Sequence, residues 1–128
     1  MIHSKQLPYI ATSLVLLNIA ITEIISDKCR GNIGVAFGIY FELLDLLIPL
    51  LIVILFLISI YSSGRVKYIF LSLCILGASN VLERYIRGYI CDYITILGIS
   101  FNIVDMGIVL LCIFGILISI SKKYERNS

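Results

Sequence analysis

Long apolar runs separated by short polar stretches dominate the chain. A membrane-spanning helix needs about 20 consecutive, mostly apolar residues. Four segments meet this requirement, at about residues 7–25, 43–61, 68–82 and 103–120. The pattern therefore predicts an all-α integral membrane protein with four transmembrane helices.

The polar connections between the segments predict the remaining elements. Ser62, Ser63 and Gly64 are typical of a turn that ends the second helix. The longest connection runs from about 83 to 102 and contains residues 89–94, which are rich in β-branched and aromatic side chains. Such a composition favours a short extended element. We therefore expect a small β element outside the membrane.

The amino-acid composition restricts the class of protein. Of the 128 residues, 60% are hydrophobic and 14% are charged, whereas soluble domains have roughly 45–50% apolar and about 25% charged residues. We expect one membrane-embedded domain over 1–128, without room for a separate soluble domain. The net charge of +2 comes without a basic run interleaved with aromatics, so nucleic-acid binding is not indicated.

Lysine and arginine in short loops predict the orientation, because they are enriched on the cytoplasmic side. One side holds six of the ten, namely Lys5, Arg65, Lys67, Lys122, Lys123 and Arg126, and the other side holds Lys28, Arg30, Arg84 and Arg87. This bias predicts that both termini are cytoplasmic (N-in/C-in). The first segment is long and residues 22–25 make a poor cleavage site, so we expect it to be retained rather than removed as a signal peptide.

The four cysteines do not form a metal-binding pattern. No CxxC spacing occurs and the only histidine is His3, so neither a metal nor another cofactor is expected. Cys74 and Cys112 lie in apolar runs, where cysteine usually acts as a small hydrophobic residue. Cys29 and Cys91 fall on the same predicted side of the membrane, and both a disulfide and two free thiols remain open for them.

Two acids, Asp92 and Asp105, are the residues that most strongly indicate chemistry. An ionisable group held near the membrane is expensive, which makes it a candidate for a functional site. Two carboxylates close together can share one proton and perform acid–base chemistry. Other polar residues stand near them in the sequence, namely Asn80, Glu83, Arg84 and Asn102.

Three stretches carry most of the polar content: N-I-G-V-A-F-G at 32–38, G-A-S-N-V-L-E-R at 77–84 followed by R-G-Y-I-C-D-Y at 87–93, and F-N-I-V-D at 101–105. Together they resemble signal peptidase II, the lipoprotein signal peptidase of bacteria. That family shows NxGxAF, then GNxxDR followed by xGxVxDF, and finally FNxAD, in the same order and at similar spacings. No motif is specific alone, but three in order on a four-helix chain are informative.

The resemblance implies an intramembrane aspartic endopeptidase in the bacterial cytoplasmic membrane, with its active site near the outer face. Its partners would be membrane lipid and a diacylglyceryl-modified prolipoprotein, which it would cut before the lipidated cysteine. We expect a monomer. By position, Asp92 and Asp105 match the catalytic pair. The residues matching positions that bind or support substrate are Asn32, Asn80, Glu83, Arg84 and Asn102.

Several positions depart from the family pattern. Glu83 stands in place of an aspartate, Ser79 in place of a glycine and Val104 in place of an alanine. The family usually has an Asp and a Lys near the outer end of its first helix, where this chain has Asn18, Thr22 and Glu23. The stretch that forms a β platform on the membrane surface in the family is also much shorter here. These departures affect substrate handling more than the chemistry.

Other interpretations stay open at this stage. The chain could be a non-catalytic relative that binds lipoprotein signal helices or lipid, or a small four-helix drug exporter that uses Glu23. Asp105 could only cap the fourth helix, and Asp92 could be a solvated loop acid. Arg84 could pair with Glu83 or with Glu42.

Overall fold

The computed structural model describes residues 3–25, 29–32 and 43–127. In this part of the chain, four helices are long and apolar enough to cross a membrane. A short 3-10 helix (Ser4–Gln6) leads into the first of them. The four helices are α1 (Leu7–Ile24), α2 (Leu44–Tyr61), α3 (Gly64–Arg87) and α4 (Ile103–Asn127). The predicted four-helix membrane architecture is therefore confirmed.

The third helix is longer than the sequence predicted at both ends, running from Gly64 to Arg87 instead of from about 68 to 82. Arginines in the last turn favour a helix C-terminus, because they complement the partial negative charge there. Gly88 then ends the helix in the left-handed conformation (φ 82°), and its N–H donates to the Arg84 carbonyl at 2.8 Å. Glu83 and Arg84 consequently lie on a helix and not in a loop.

The core lies where α1, α3 and α4 meet. Ala11, Leu76 and Val104 are buried there, one from each helix, surrounded by partly buried residues: Leu14, Val15, Ile75, Ile108 and Leu111. Gly107 allows α4 to approach closely, because a Cβ atom on it would lie 3.1 Å from the side chains of both Leu14 and Leu76. Small residues at helix contacts are typical of membrane proteins, where close packing drives helix association.

Four short strands complete the described structure. β1 (Arg30–Asn32) pairs antiparallel with β2 (Ile90–Asp92), so that Arg30 faces Asp92 and Asn32 faces Ile90. β3 (Ile94–Ile96) pairs antiparallel with β4 (Ile99–Phe101). The predicted extended element is confirmed, whereas the β3–β4 hairpin was not predicted. Asp92 is the last residue of β2, so the β1–β2 pair positions one of the two candidate acids.

A disulfide joins Cys29 to Cys91 and resolves the alternative that the sequence left open. The two Cα atoms lie 5.1 Å apart and the sequence separation is 62 residues. Cys74 is half-buried and Cys112 is exposed, and both are free thiols. The bridge attaches the chain just before β1 to the residue that precedes Asp92.

Removing this disulfide is expected to destabilise the protein, because the bridge restricts the unfolded chain. The chain-entropy treatment gives an upper figure of about 4 kcal/mol for a loop of this length. We expect a Cys29→Ser, Cys91→Ser double variant to unfold at a lower temperature in detergent. Reductant should lower the midpoint of the wild type and leave that of the double variant unchanged. Identical midpoints for the wild type with and without reductant would show that the bridge does not stabilise the fold.

Candidate active site

Asp105 lies in the first turn of α4 and exchanges two hydrogen bonds with Asn102. The Asp105 backbone N–H donates to Asn102 Oδ1 at 3.0 Å, and the Asn102 backbone N–H donates to Asp105 Oδ2 at 3.2 Å. This reciprocal arrangement caps the helix. However, Asp105 Oδ1 also accepts a hydrogen bond from Asn80 Nδ2 of α3 at 3.1 Å, a contact that capping does not require. Capping is therefore one role of Asp105 and does not account for all of its contacts.

Asp92 is buried, with only 2% of its surface exposed. Its Oδ1 atom accepts a hydrogen bond from Asn102 Nδ2 at 3.4 Å, and the same amide lies 3.5 Å from the Cys91 carbonyl oxygen. The interpretation of Asp92 as a solvated loop acid is wrong. Asn102 itself is completely buried. Because Asn102 contacts both carboxylates, the fold brings Asp92 and Asp105 to the same amide residue.

Glu83 connects α3 to the strand that bears Asp92. Its Oε1 atom accepts a hydrogen bond from the Cys91 backbone N–H at 2.8 Å. The side chain is half-buried, as expected for an acid that positions backbone rather than facing water. The Glu83 carboxylate therefore holds the backbone of Cys91, the residue that precedes Asp92. Glu42, the other predicted partner of Arg84, lies outside the described residues.

The structure places Arg84 on α3 and the backbone of Asn32 in β1. Arg84 is half-buried and borders a groove of about 430 Å³ between α2 and α3, lined also by Leu44, Asp45, Ile48, Pro49, Val81, Tyr85 and Gly88. The Asn32 backbone belongs to β1 and pairs with Ile90. Residues 33–38 of the same motif lie outside the described residues.

A tyrosine that the sequence did not single out joins three elements beside the acids. The Tyr93 hydroxyl donates to Asn18 Oδ1 of α1 at 2.7 Å and accepts a hydrogen bond from the Ile103 backbone N–H at 3.3 Å. Burial raises the pKa of the Tyr93 phenol, and the nearby charges of Glu83, Asp105 and Asp92 raise that pKa further, while the Ile103 N–H lowers it. The phenol therefore stays protonated at neutral pH and can donate. A polar Asn18 inside an apolar helix was the available sequence signal.

The family model described as signal peptidase (SPase) II matches residues 4–121. The chain belongs to the signal peptidase II family. Comparison with curated proteins gives no match, and comparison with solved structures gives none either. Family membership indicates an aspartic peptidase of the hydrolase class that acts on lipoprotein substrates in a membrane. Together with the four apolar helices, it identifies a multi-pass membrane protein.

The C-terminal ends of α1 and α3 are joined by an ion pair. Arg87 Nη2 lies 2.6 Å from Glu23 Oε1, and the Glu23 side chain is 70% exposed. An ion pair this exposed contributes little stability. Glu23 thus forms an exposed ion pair with Arg87 at this end of the bundle.

The residues that this signal peptidase II site assembles are carboxylates and neutral amides. In the described ranges, no group of three or more His, Cys, Asp and Glu side chains is arranged to hold a metal ion. Hydrogen bonds link Asp92, Asp105, Asn80, Asn102 and, through the Cys91 backbone, Glu83. The two carboxyl groups, which are oriented by amide donors, can therefore perform acid–base chemistry.

Proposed function

We propose that this chain is an intramembrane aspartic endopeptidase that removes signal peptides from diacylglyceryl-modified prolipoproteins, cutting before the lipidated cysteine. Family membership supports the reaction class. The observation that carries the proposal is the contact of one buried amide residue, Asn102, with both Asp92 and Asp105. Such an arrangement suits two acids that act as a unit.

Hydrolysis of a peptide bond needs an activated water and a proton for the leaving amine. In the proposed reaction one carboxylate of the pair takes a proton from water, while the other carboxyl, which is protonated, donates to the scissile carbonyl oxygen. The water oxygen bonds to the carbonyl carbon and gives a tetrahedral diol. As the C–N bond breaks, the first carboxyl gives the proton it took from water to the leaving amine, and the second carboxylate takes back a proton from the diol, so that the pair returns to its starting state. Two carboxylates at short range hold one proton between them, so their titration belongs to the pair.

The amides around the pair would fix its geometry. Asn102 Nδ2 donates to Asp92 and Asn80 Nδ2 donates to Asp105, so each carboxylate has one oxygen held by a side-chain amide. Asn80 Oδ1 is buried and has no hydrogen-bond partner within the described part of the chain. Because a buried acceptor without a partner is costly, this oxygen is suited to accept from the attacking water or from a substrate N–H.

The site lies at one end of the bundle, where α1 and α3 end and α4 begins. With both termini in the cytoplasm, as the loop charges predict, this end would face the outside of the bacterial cytoplasmic membrane. The signal helix and the diacylglycerol of the substrate would then enter sideways from the bilayer. The groove beside Arg84 lies near that end, between the start of α2 and the end of α3, and it would receive part of the substrate.

The proposal is tested with purified protein in detergent and two versions of one precursor, with and without the diacylglyceryl group. We expect cleavage of the modified precursor, seen as a gel shift, and a new N-terminal lipidated cysteine by mass spectrometry. The unmodified precursor should remain uncut and serves as the matched control. Binding of the modified precursor without cleavage would instead identify a non-catalytic relative. Cleavage of both precursors at equal rates would contradict the proposed substrate.

A further inference from the structure

The hydrogen bonds of the Tyr93 hydroxyl have no role in the proposed chemistry of the acid pair. Tyr93 follows Asp92 directly, and its hydroxyl accepts from the N–H of Ile103, which follows Asn102 directly. Asn102 in turn donates to Asp92. Asp92 and Tyr93 are neighbours in the chain, and so are Asn102 and Ile103. The two hydrogen bonds join these two pairs into a closed ring, which connects the end of β2 to the start of α4. The ring holds the two segments that bear the two acids at a fixed separation.

Asn18 fixes this ring to a third helix. Its side chain is 1% exposed, and its Oδ1 atom accepts the Tyr93 hydroxyl proton at 2.7 Å. An amide buried in the middle of an apolar helix needs such partners, because leaving it unpaired is costly.

We propose that Tyr93 is a positioning residue for peptide hydrolysis, which sets the placement of Asp92 relative to Asp105 by joining Ile103 at the start of α4 to Asn18 of α1. This inference rests on the proposed function. Tyr93 acts through the acids and does not itself exchange a proton with the substrate. Small displacements of reacting groups, on the order of 1 Å, can reduce a rate by about 10²-fold.

The first test is Tyr93→Phe, which removes the hydroxyl and keeps the ring. We expect kcat to fall by about 10- to 100-fold while KM stays within about twofold, because orientation of the acids changes and substrate binding does not. Tyr89→Phe is the matched control, since Tyr89 is a half-buried tyrosine on the same segment and has no assigned role. It should retain the wild-type kcat. A Tyr93→Phe kcat equal to that of the wild type would overturn the proposal.

A double variant separates positioning from stability. Asn18→Leu together with Tyr93→Phe replaces both partners by apolar groups of similar shape, a change that can be nearly neutral for stability. We expect the double variant to recover part of the thermal midpoint that Tyr93→Phe loses, without recovering kcat, because Asn18 is no longer left unpaired while the Ile103 N–H still lacks its acceptor. Recovery of kcat together with the midpoint would show that Tyr93 only stabilises the fold and would overturn the proposal.

Hydrogen exchange gives a readout that does not depend on cleavage. In Tyr93→Phe, the amides at the start of α4 should exchange faster, because the Ile103 N–H has lost its acceptor. Unchanged exchange there would overturn the proposal even if activity falls. A wild type that binds modified precursor without cutting it would instead refute the proposed function, and with it a positioning role in hydrolysis. The two failures are therefore distinguishable.

Discussion

Replacing Asp92 or Asp105 with asparagine is expected to reduce kcat/KM for the modified precursor by at least about 10³-fold. Asparagine has nearly the same shape as aspartate, but it cannot take a proton from water or share one with a second carboxylate. The two acids act as one unit, so the double variant should be hardly worse than either single variant. The measurement is initial-rate cleavage in detergent for the three variants and the wild type.

Glu23→Gln is the matched control for these variants. It also neutralises an acid on the same end of the bundle, but Glu23 is largely exposed and pairs only with Arg87 among its described contacts. Its cleavage rate should stay within about threefold of the wild type, as is usual for an exposed ion pair. If Glu23→Gln lost as much activity as Asp92→Asn, the general charge of this end would matter more than the pair of acids.

Replacing Asn102 with alanine is expected to have the second largest effect, on both activity and stability. Alanine removes the donor to Asp92 Oδ1 and the acceptor for the Asp105 N–H. Loss of an N-cap costs about 0.5–2 kcal/mol, and a buried carboxylate that loses a donor costs about 1–3 kcal/mol more. We expect a lower thermal midpoint in detergent and a rate reduced by about 10²-fold, as for displaced reacting groups.

Asn102→Ser separates these two effects. Serine is a good N-cap residue, so it should restore most of the stability that alanine removes. It has no side-chain amide to reach Asp92, so the rate should stay low. If serine restored the rate together with the midpoint, helix capping alone would explain the importance of Asn102, and the amide would have no separate role at Asp92.

The helices could be predicted from the sequence because a bilayer demands long apolar segments, whatever the rest of the chain does. Their ends were less predictable. The third helix reaches Arg87 because basic residues and Gly88 stabilise its C-terminal turn, although Glu83 and Arg84 lower its hydropathy there. The β3–β4 hairpin was missed because its turn is Leu97–Gly98, both with positive φ, and leucine is not a residue that signals such a turn.

The residues of the candidate site that belong to sequence motifs could be predicted. The contacts between residues that are far apart in the sequence could not. Asp92, Asp105, Asn80 and Asn102 come together as the motif order suggested. The bond between Tyr93 and Asn18 joins residues 75 positions apart, and no local pattern indicates such a partner. The position of the site on the outer face remains a prediction from loop charges.

In the proposed mechanism, Asp92 and Asp105 together hydrolyse the bond before a lipidated cysteine. The most direct test measures single-turnover cleavage and precursor binding in parallel for the wild type, Asp92→Asn and Asp105→Asn, all with verified folding. We predict that all three bind the diacylglyceryl-modified precursor with similar affinity and that only the wild type cuts it. Cleavage by either variant at a rate near that of the wild type, or binding without cleavage by the wild type, would contradict the claim.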